Sequence, residues 1–197
     1  MGTVEVTGNG VLNLNSSFTA AGAGTNTLSE SSTVNAQNML TLTGPTLVTD
    51  TAALNVDVMV TGSTFVMDPT TSLTGTRVDM LTELLIPSDN YTATTTRVLG
   101  DIVVAADWTH TMPQLELPLG PYRLRVGNNK MNLTGNYLQT HYTTNYGLYM
   151  VGAAGEFNVN GNMIFTGTAH MTTDTLSAGS MAVTGNFSAN CNSGYDC

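Results

Sequence analysis

Val4-Glu5-Val6-Thr7-Gly8, Leu40-Thr-Leu-Thr-Gly44, Val58-Met-Val-Thr-Gly62, Met131-Asn-Leu-Thr-Gly135, Phe157-Asn-Val-Asn-Gly161 and Met181-Ala-Val-Thr-Gly185 are six copies of one phrase: apolar, any residue, apolar, Thr or Asn, Gly. In all but the last, an apolar residue follows three places after the glycine. A phrase recurring along one chain marks a repeat architecture, in which each unit buries its apolar face against the next. Within the phrase, the residues four and two before the Gly share a strand face, because side chains alternate with period two. The apolar residue three after it has the opposite parity, so the glycine is expected to absorb a bend that returns the apolar side to the same interior. Gly reaches positive φ without steric cost, and Asn, which follows it as Asn9, Asn136, Asn162 and Asn186, is the next most tolerant residue.

The unit is therefore strand, corner, strand, with Gly8, Gly44, Gly62, Gly135, Gly161 and Gly185 as the corners. A tight antiparallel hairpin satisfies that description, although Asn-Gly order would signal it better than Gly-Asn. A corner between successive sides of a β-solenoid satisfies it equally. The spacing favours the solenoid: the glycines lie 36, 18, 73, 26 and 24 residues apart, and 73 is about three times 24. These intervals predict an all-β chain, a single parallel β-helix of about seven or eight coils with roughly 24 residues per coil.

Regular coils are expected over 1–76 and 131–190, with diverged coils and longer loops over 77–130 and a tail over 191–197, all within one domain. The middle stretch lacks the phrase. It holds all five basic residues (Arg77, Arg97, Arg123, Arg125 and Lys130), four of the six prolines and the one tryptophan, Trp108. Apolar alternation survives there, as in Asp101-Ile-Val-Val-Ala-Ala and Gln114-Leu-Glu-Leu-Pro-Leu, so strands continue. An exposed lateral interaction patch is expected near Trp108 and Tyr122. Helix signals are nearly absent; Val78-Asp-Met-Leu-Thr-Glu-Leu-Leu-Ile is short, ends at Pro87 and reads as a strand or a single turn.

The composition narrows the function classes. Charged residues make up 10% of the 197, against roughly 25% in an average globular domain. Thr, Asn and 20 Gly supply the polarity instead. The net charge of −9 offers no basic stripe, which excludes nucleic acid and an anionic membrane surface as expected partners. No apolar run is long enough for a transmembrane helix, so membrane insertion is not expected. Met1 leads almost directly into the phrase, without the basic and apolar regions of a signal peptide, and the chain reads as an interior piece of a longer protein.

Leu124-Arg-Val-Gly-Asn-Asn-Lys-Met-Asn-Leu-Thr-Gly-Asn-Tyr, Glu156-Phe-Asn-Val-Asn-Gly-Asn-Met-Ile-Phe-Thr-Gly and Leu176-Ser-Ala-Gly-Ser-Met-Ala-Val-Thr-Gly-Asn-Phe resemble the coils of bacterial surface and secreted β-helix proteins of the adhesin type. The resemblance covers roughly 70 residues at the C-terminal end clearly and the first 65 more loosely. It implies export, a parallel β-helix and a structural or adhesive use.

Residues that could carry chemistry are scattered. His110, His141 and His170 lie in no metal-binding spacing and are expected to face solvent. Carboxylates such as Asp101, Asp107 and Glu116 could line a glycan-processing groove, as acids of neighbouring coils do in carbohydrate-active enzymes, but no pair has a telling local spacing. Thr-x-Thr pairs at Thr25, Thr41, Thr74, Thr92 and Thr166 raise ice binding as another use, with irregular spacing against it. Cys191 and Cys197 can close a small disulfide ring in an oxidising compartment, or they are two free thiols. No catalytic residue, metal or cofactor is expected. The expected role is a structural or adhesive segment of an exported surface or filament protein, extracellular or at the cell surface. Its expected partners are a second copy or a continuing chain at the coil ends, and a surface glycan or protein ligand.

Overall fold

A computed structural model of the chain describes residues 2–141, 146–167 and 178–191. Among these there are strands and no helix. The chain forms two compact units, Met1–Thr96 and Arg97–Cys197, and the boundary falls inside the predicted divergent stretch. The fold is a β-solenoid of about 8 turns, successive turns lying about 22 residues apart. Every strand pairing within either unit is parallel, which is what a coil stacked on its predecessor requires and a hairpin forbids.

The first unit contains β1 (Glu5–Val6), β2 (Val11–Leu14), β3 (Phe18–Ala20), β4 (Asn26–Leu28), β5 (Thr33–Leu42), β6 (Thr46–Val48), β7 (Ala53–Thr61), β8 (Phe65–Met67), β9 (Ser72–Met80) and β10 (Asn90–Tyr91). The short strands β1, β4, β6 and β8 stack into one face. Each long strand supplies two further faces, because it bends midway; between β5 and β7 the register shifts at that bend, from Ala36 to Met39. Three inward columns result. Leu28, Val48 and Met67 form one, Val34, Leu54 and Leu73 the second, and Leu40, Met59 and Val78 the third, all buried. Each such side chain contributes about 1.5–3 kcal/mol by leaving water, so the alternation of the sequence becomes a continuous core.

The corner between the short strands and the long ones is left-handed. Gly8 has φ 68°, and the residues stacked on it are Glu30 at 60° and Asp50 at 61°, with Ser31 N–H donating to the Gly8 carbonyl and Thr51 N–H to that of Glu30. A side chain in this region costs about 1–2 kcal/mol, whereas glycine costs about 0.4–1 kcal/mol through the unfolded chain. Glu30→Gly should therefore raise stability by about 0.5 kcal/mol, and Glu30→Val should lower it; thermal unfolding of both variants checks the sign.

The strand β11 (Thr95–Val98) crosses the unit boundary. The second unit contains β12 (Asp101–Val103), β13 (Trp108–Leu117), β14 (Arg123–Arg125), β15 (Lys130–His141), β16 (Gly147–Tyr149), β17 (Glu156–Asn160), β18 (Met163–Gly167), β19 (Ser180–Val183) and β20 (Phe187–Cys191). Its interior columns are Ile102, Leu124 and Leu148; Trp108, Met131 and Phe157; and Leu115, Tyr137 and Met163. The Tyr137 ring meets Phe157 edge-on at 5.2 Å, and its hydroxyl donates to Gln139 Oε1 at 2.9 Å. Burial pushes that hydroxyl's pKa up, keeping it a donor.

Two features of the phrase differ from the sequence expectation. First, its glycines occupy three different corners: Gly8 between β1 and β2, Gly44 and Gly62 after the long strands β5 and β7, and Gly135, Gly161 and Gly185 at the bend between the two long faces of the second unit. The copy at Val58 is moreover one residue out of step with that at Leu40, since Leu40 pairs with Met59 and Leu42 with Thr61. The phrases lie 18 residues apart, whereas the strands pair 20 apart before the bulge at Gln37 and Asn38 (Ala36 with Val56) and 19 apart after it, and this odd remainder leaves Val58 half-buried while Met59 faces inward.

Second, side-chain parity runs unbroken through the glycine. Met131, Leu133, Tyr137 and Gln139 are all buried, as are Phe157, Val159, Met163 and Phe165, whereas Leu138 and Ile164, three after their glycines, are half-exposed. The bend turns the glycine's missing Cβ along the stack. At Gly135, with φ 144°, an added Cβ would overlap the Met112 carbonyl oxygen, and at Gly161 it would overlap the carbonyl of Gly135.

Candidate binding surfaces

With the apolar positions turned inward, the alternate positions build outward columns. In the first unit Asn13, Asn35, Asn55 and Thr74 stand in register on consecutive coils. Asn35 Nδ2 donates to Asn13 Oδ1 at 2.8 Å, and Asn55 Nδ2 to Asn35 Oδ1 at 2.8 Å. Thr92 Oγ1 donates to Thr74 Oγ1 at 3.3 Å, extending the column by one more coil. The second unit repeats the device, with Asn132 Nδ2 donating to Thr109 Oγ1 and Asn158 Nδ2 to Asn132 Oδ1, both at 2.8 Å. The asparagines that follow the corner glycines form another ladder, in which Asn136 Oδ1 accepts the Asn162 N–H and Asn162 Oδ1 accepts the Asn186 N–H, both at 3.0 Å. That ladder gives the Gly-Asn order its physical reason: the amide after the corner holds the next coil's backbone.

The Asn13 column borders an open groove of about 580 Å³ along the bend of the long strands. Its opposite wall is Gln37, Asp57 and Thr76, and Ala36, Val56 and Gly75 lie between. Asp57 is the one charged residue of that lining.

The second unit carries a different surface. On the outer side of β12 and β14, Arg125 Nε donates to Asp101 Oδ1 at 2.6 Å, and Arg123 Nη1 to Asp101 Oδ2 at 3.3 Å. Partial desolvation raises the Asp101 pKa, but the hydrogen bonds and charges of Arg125 and then Arg123 outweigh it and hold the carboxyl below its ordinary range. Arg123 also lies over the Tyr146 and Tyr149 rings at 5.2 and 5.5 Å, so Arg, Tyr and Asp form one connected polar and aromatic surface.

The residues expected to form an interaction patch separate. Tyr122 is half-exposed and directly precedes this cluster, but Trp108 is 6% exposed. Trp108 is in register with Met131 and Phe157, so the inward parity of β13 makes it core. His110 shares that parity, in register with Leu133 and Val159, and is half-buried with its ring edge-on to Trp108 at 4.9 Å; it is not the solvated side chain expected. The His141 side chain, His170 and the Cys191–Cys197 ring lie outside the described residues. Of the named carboxylates, Asp101 serves the arginines and Asp107 Oδ1 accepts the Lys130 N–H at 2.8 Å. No group of three metal-ligating side chains occurs among the described residues, and none of their helices or strands amounts to a helix long and apolar enough to cross a membrane.

No protein-family model, no curated protein and no solved structure matches this chain. The Asn13, Asn35 and Asn55 column went unread in the sequence, yet it has a signal: Leu12-Asn-Leu14, Val34-Asn-Ala36 and Leu54-Asn-Val56 each place one amide between two apolar residues, once per coil.

Proposed function

We propose that the chain is a structural and adhesive element, an extracellular or cell-surface β-solenoid that acts by presenting an ordered surface and associates through its coil ends. The observation that carries this reading is the state of the outermost strands. Among the described residues β1 and β2 end their sheets and β3 pairs only with β5, while β19 and β20 each pair on one side. Exposed strand edges template further strands. Exposed apolar side chains flank them: Val11 and Phe18 in the first unit, Met181 and Phe187 in the second, with Phe187 52% exposed. The partner is a second copy or a continuing chain.

An extracellular setting is supported by the resemblance of the Gly-Asn coils to surface and secreted β-helix proteins. A glycan-processing enzyme would require a second carboxylate placed to work with Asp57, since glycoside hydrolysis uses two; the groove lining supplies Asp57 alone. Electron microscopy and sedimentation of the purified protein test the reading. Filaments or concentration-dependent oligomers are expected, and Phe18→Lys combined with Phe187→Lys should suppress them. A protein that stays monomeric at every concentration would overturn end-to-end association.

A further inference from the structure

We infer that the groove of the first unit binds an uncharged, polyhydroxylated chain, a neutral glycan, laid along the stack of coils. The inference deepens the adhesive reading by naming its ligand class, and it stands or falls separately from association at the coil ends.

The column holds hydrogen-bonding capacity that its own ladder does not use. An asparagine amide carries two N–H donors and an oxygen with two lone pairs. The ladder uses one N–H each from Asn35 and Asn55 and one lone pair each from Asn13 and Asn35. Every rung therefore retains donor and acceptor capacity beyond the ladder, and Asn13 and Asn55 are exposed. Because the rungs hold one another, their side-chain entropy is already lost before a ligand arrives, so less is paid on binding.

Repetition then selects a polymer. Parallel strands lie about 4.8 Å apart, so an amide recurs at that interval through Asn13, Asn35 and Asn55, and a hydroxyl follows at Thr74. The groove is open to solvent and its lining comes from four consecutive coils, which suits a chain laid across them better than a small molecule needing enclosure. Gln37 and Thr76 on the facing wall add amide and hydroxyl groups to the second edge of such a chain.

Charge selects among polymers. The lining brings one carboxylate, Asp57, and the chain's net charge is −9, so a polyuronate or a nucleic acid would meet like charge without a compensating cation in the groove. Hydroxyl groups donate to and accept from amides and Thr, and they donate to a carboxylate without needing a cation beside it. The lining holds no aromatic ring for a sugar to stack on, so each unit binds weakly and affinity must accumulate along successive rungs.

The test uses the whole chain. Affinity electrophoresis in gels containing dextran, mixed-linkage β-glucan or galactomannan should show retardation by at least one, and polygalacturonate should cause none. Titration calorimetry with oligomers of the retarding glycan should show affinity rising with length from two to four sugars. Asn35→Ala with Asn55→Ala should weaken binding roughly tenfold, as expected for two lost hydrogen bonds to a neutral ligand. If the double variant does not fold, Gln37→Leu with Thr76→Val, which removes the hydrogen-bonding groups of the facing wall and leaves the ladder intact, should weaken binding by a similar factor. Retardation by none of the neutral polymers, retardation by polygalacturonate alone, affinity independent of length, or undiminished binding in the folded ladder variant or in the facing-wall variant would each overturn the inference. Loss of glycan binding with filaments intact would reject the ligand and keep the associating solenoid.

Discussion

Gly135→Ala is expected to destabilise the second unit by about 3 kcal/mol or more, a loss large enough to unfold it at physiological temperature. Two costs combine. Gly135 holds φ at 144°, where L side chains are strained, and the added methyl would overlap the carbonyl oxygen of Met112 on the preceding coil. The neighbour cannot yield, because that oxygen belongs to the backbone of β13 beside the register shift between Thr111 and Gln114. Gly127→Ala is the matched control: its Cβ would meet nothing within 4 Å, and the substitution should change stability by less than about 1 kcal/mol. Chemical denaturation of the two variants against the parent gives the comparison, and equal stabilities would show that the bend at Gly135 does not press on the coil below it.

Val159→Asp should be the most damaging single change in the account. Val159 is 1% exposed, in register with Leu133 on one side and Val183 on the other, so a carboxylate there enters an apolar column with no cation beside it. Burying an unpaired charge costs several kcal/mol, enough to abolish the cooperative transition of a marginally stable unit. Ala182→Asp provides the parity control. Ala182 is exposed and in register with the outward Asn158, and its substitution should leave the thermal midpoint within a few degrees. Val183→Asp should fall between the two, since Val183 is only half-buried on the last described coil. A sharp transition in Val159→Asp at the parental midpoint would contradict the inward assignment.

The comparison of sequence and structure turns on which regularity each feature obeys. Period-two alternation was legible, because a buried column tolerates nothing polar without a partner: Val34, Leu54 and Leu73 announce themselves. The coil length was legible only as an average. Neighbouring asparagines in the ladders lie 22, 20 and 26 residues apart, because loops between faces lengthen freely as long as the strands stay in register. The function of each glycine was less accessible. A phrase of five residues does not say which of three corners it serves, and the copy at Val58 stacks one residue out of step with that at Leu40 without any change in its letters. Glu30 had no signal, since its residue type does not favour a left-handed conformation, and Asp50 had only the mild preference of an Asp for it.

The candidate site is legible in a finer pattern than rarity. Trp108 is the one tryptophan and lies in proline-rich surroundings, but strand parity places it beside Met131 in the core. The triplets of Asn between apolar residues, one per coil, carry more information about the outer surface. An outward amide repeated at coil spacing is selected neither for burial nor for charge, and what remains is pairing with its neighbours and with whatever lies along them.

The central claim is that successive coils run parallel and in register, so that residues about 20 positions apart share a rung. Interstrand nuclear Overhauser contacts between backbone amide and α protons measure this directly. The account predicts contacts linking Asn35 to Asn55, Leu40 to Met59 and Asn132 to Asn158. Contacts instead folding back across the glycine, such as Leu133 to Leu138, would mean antiparallel hairpins, and would contradict the solenoid and the ladders built on it.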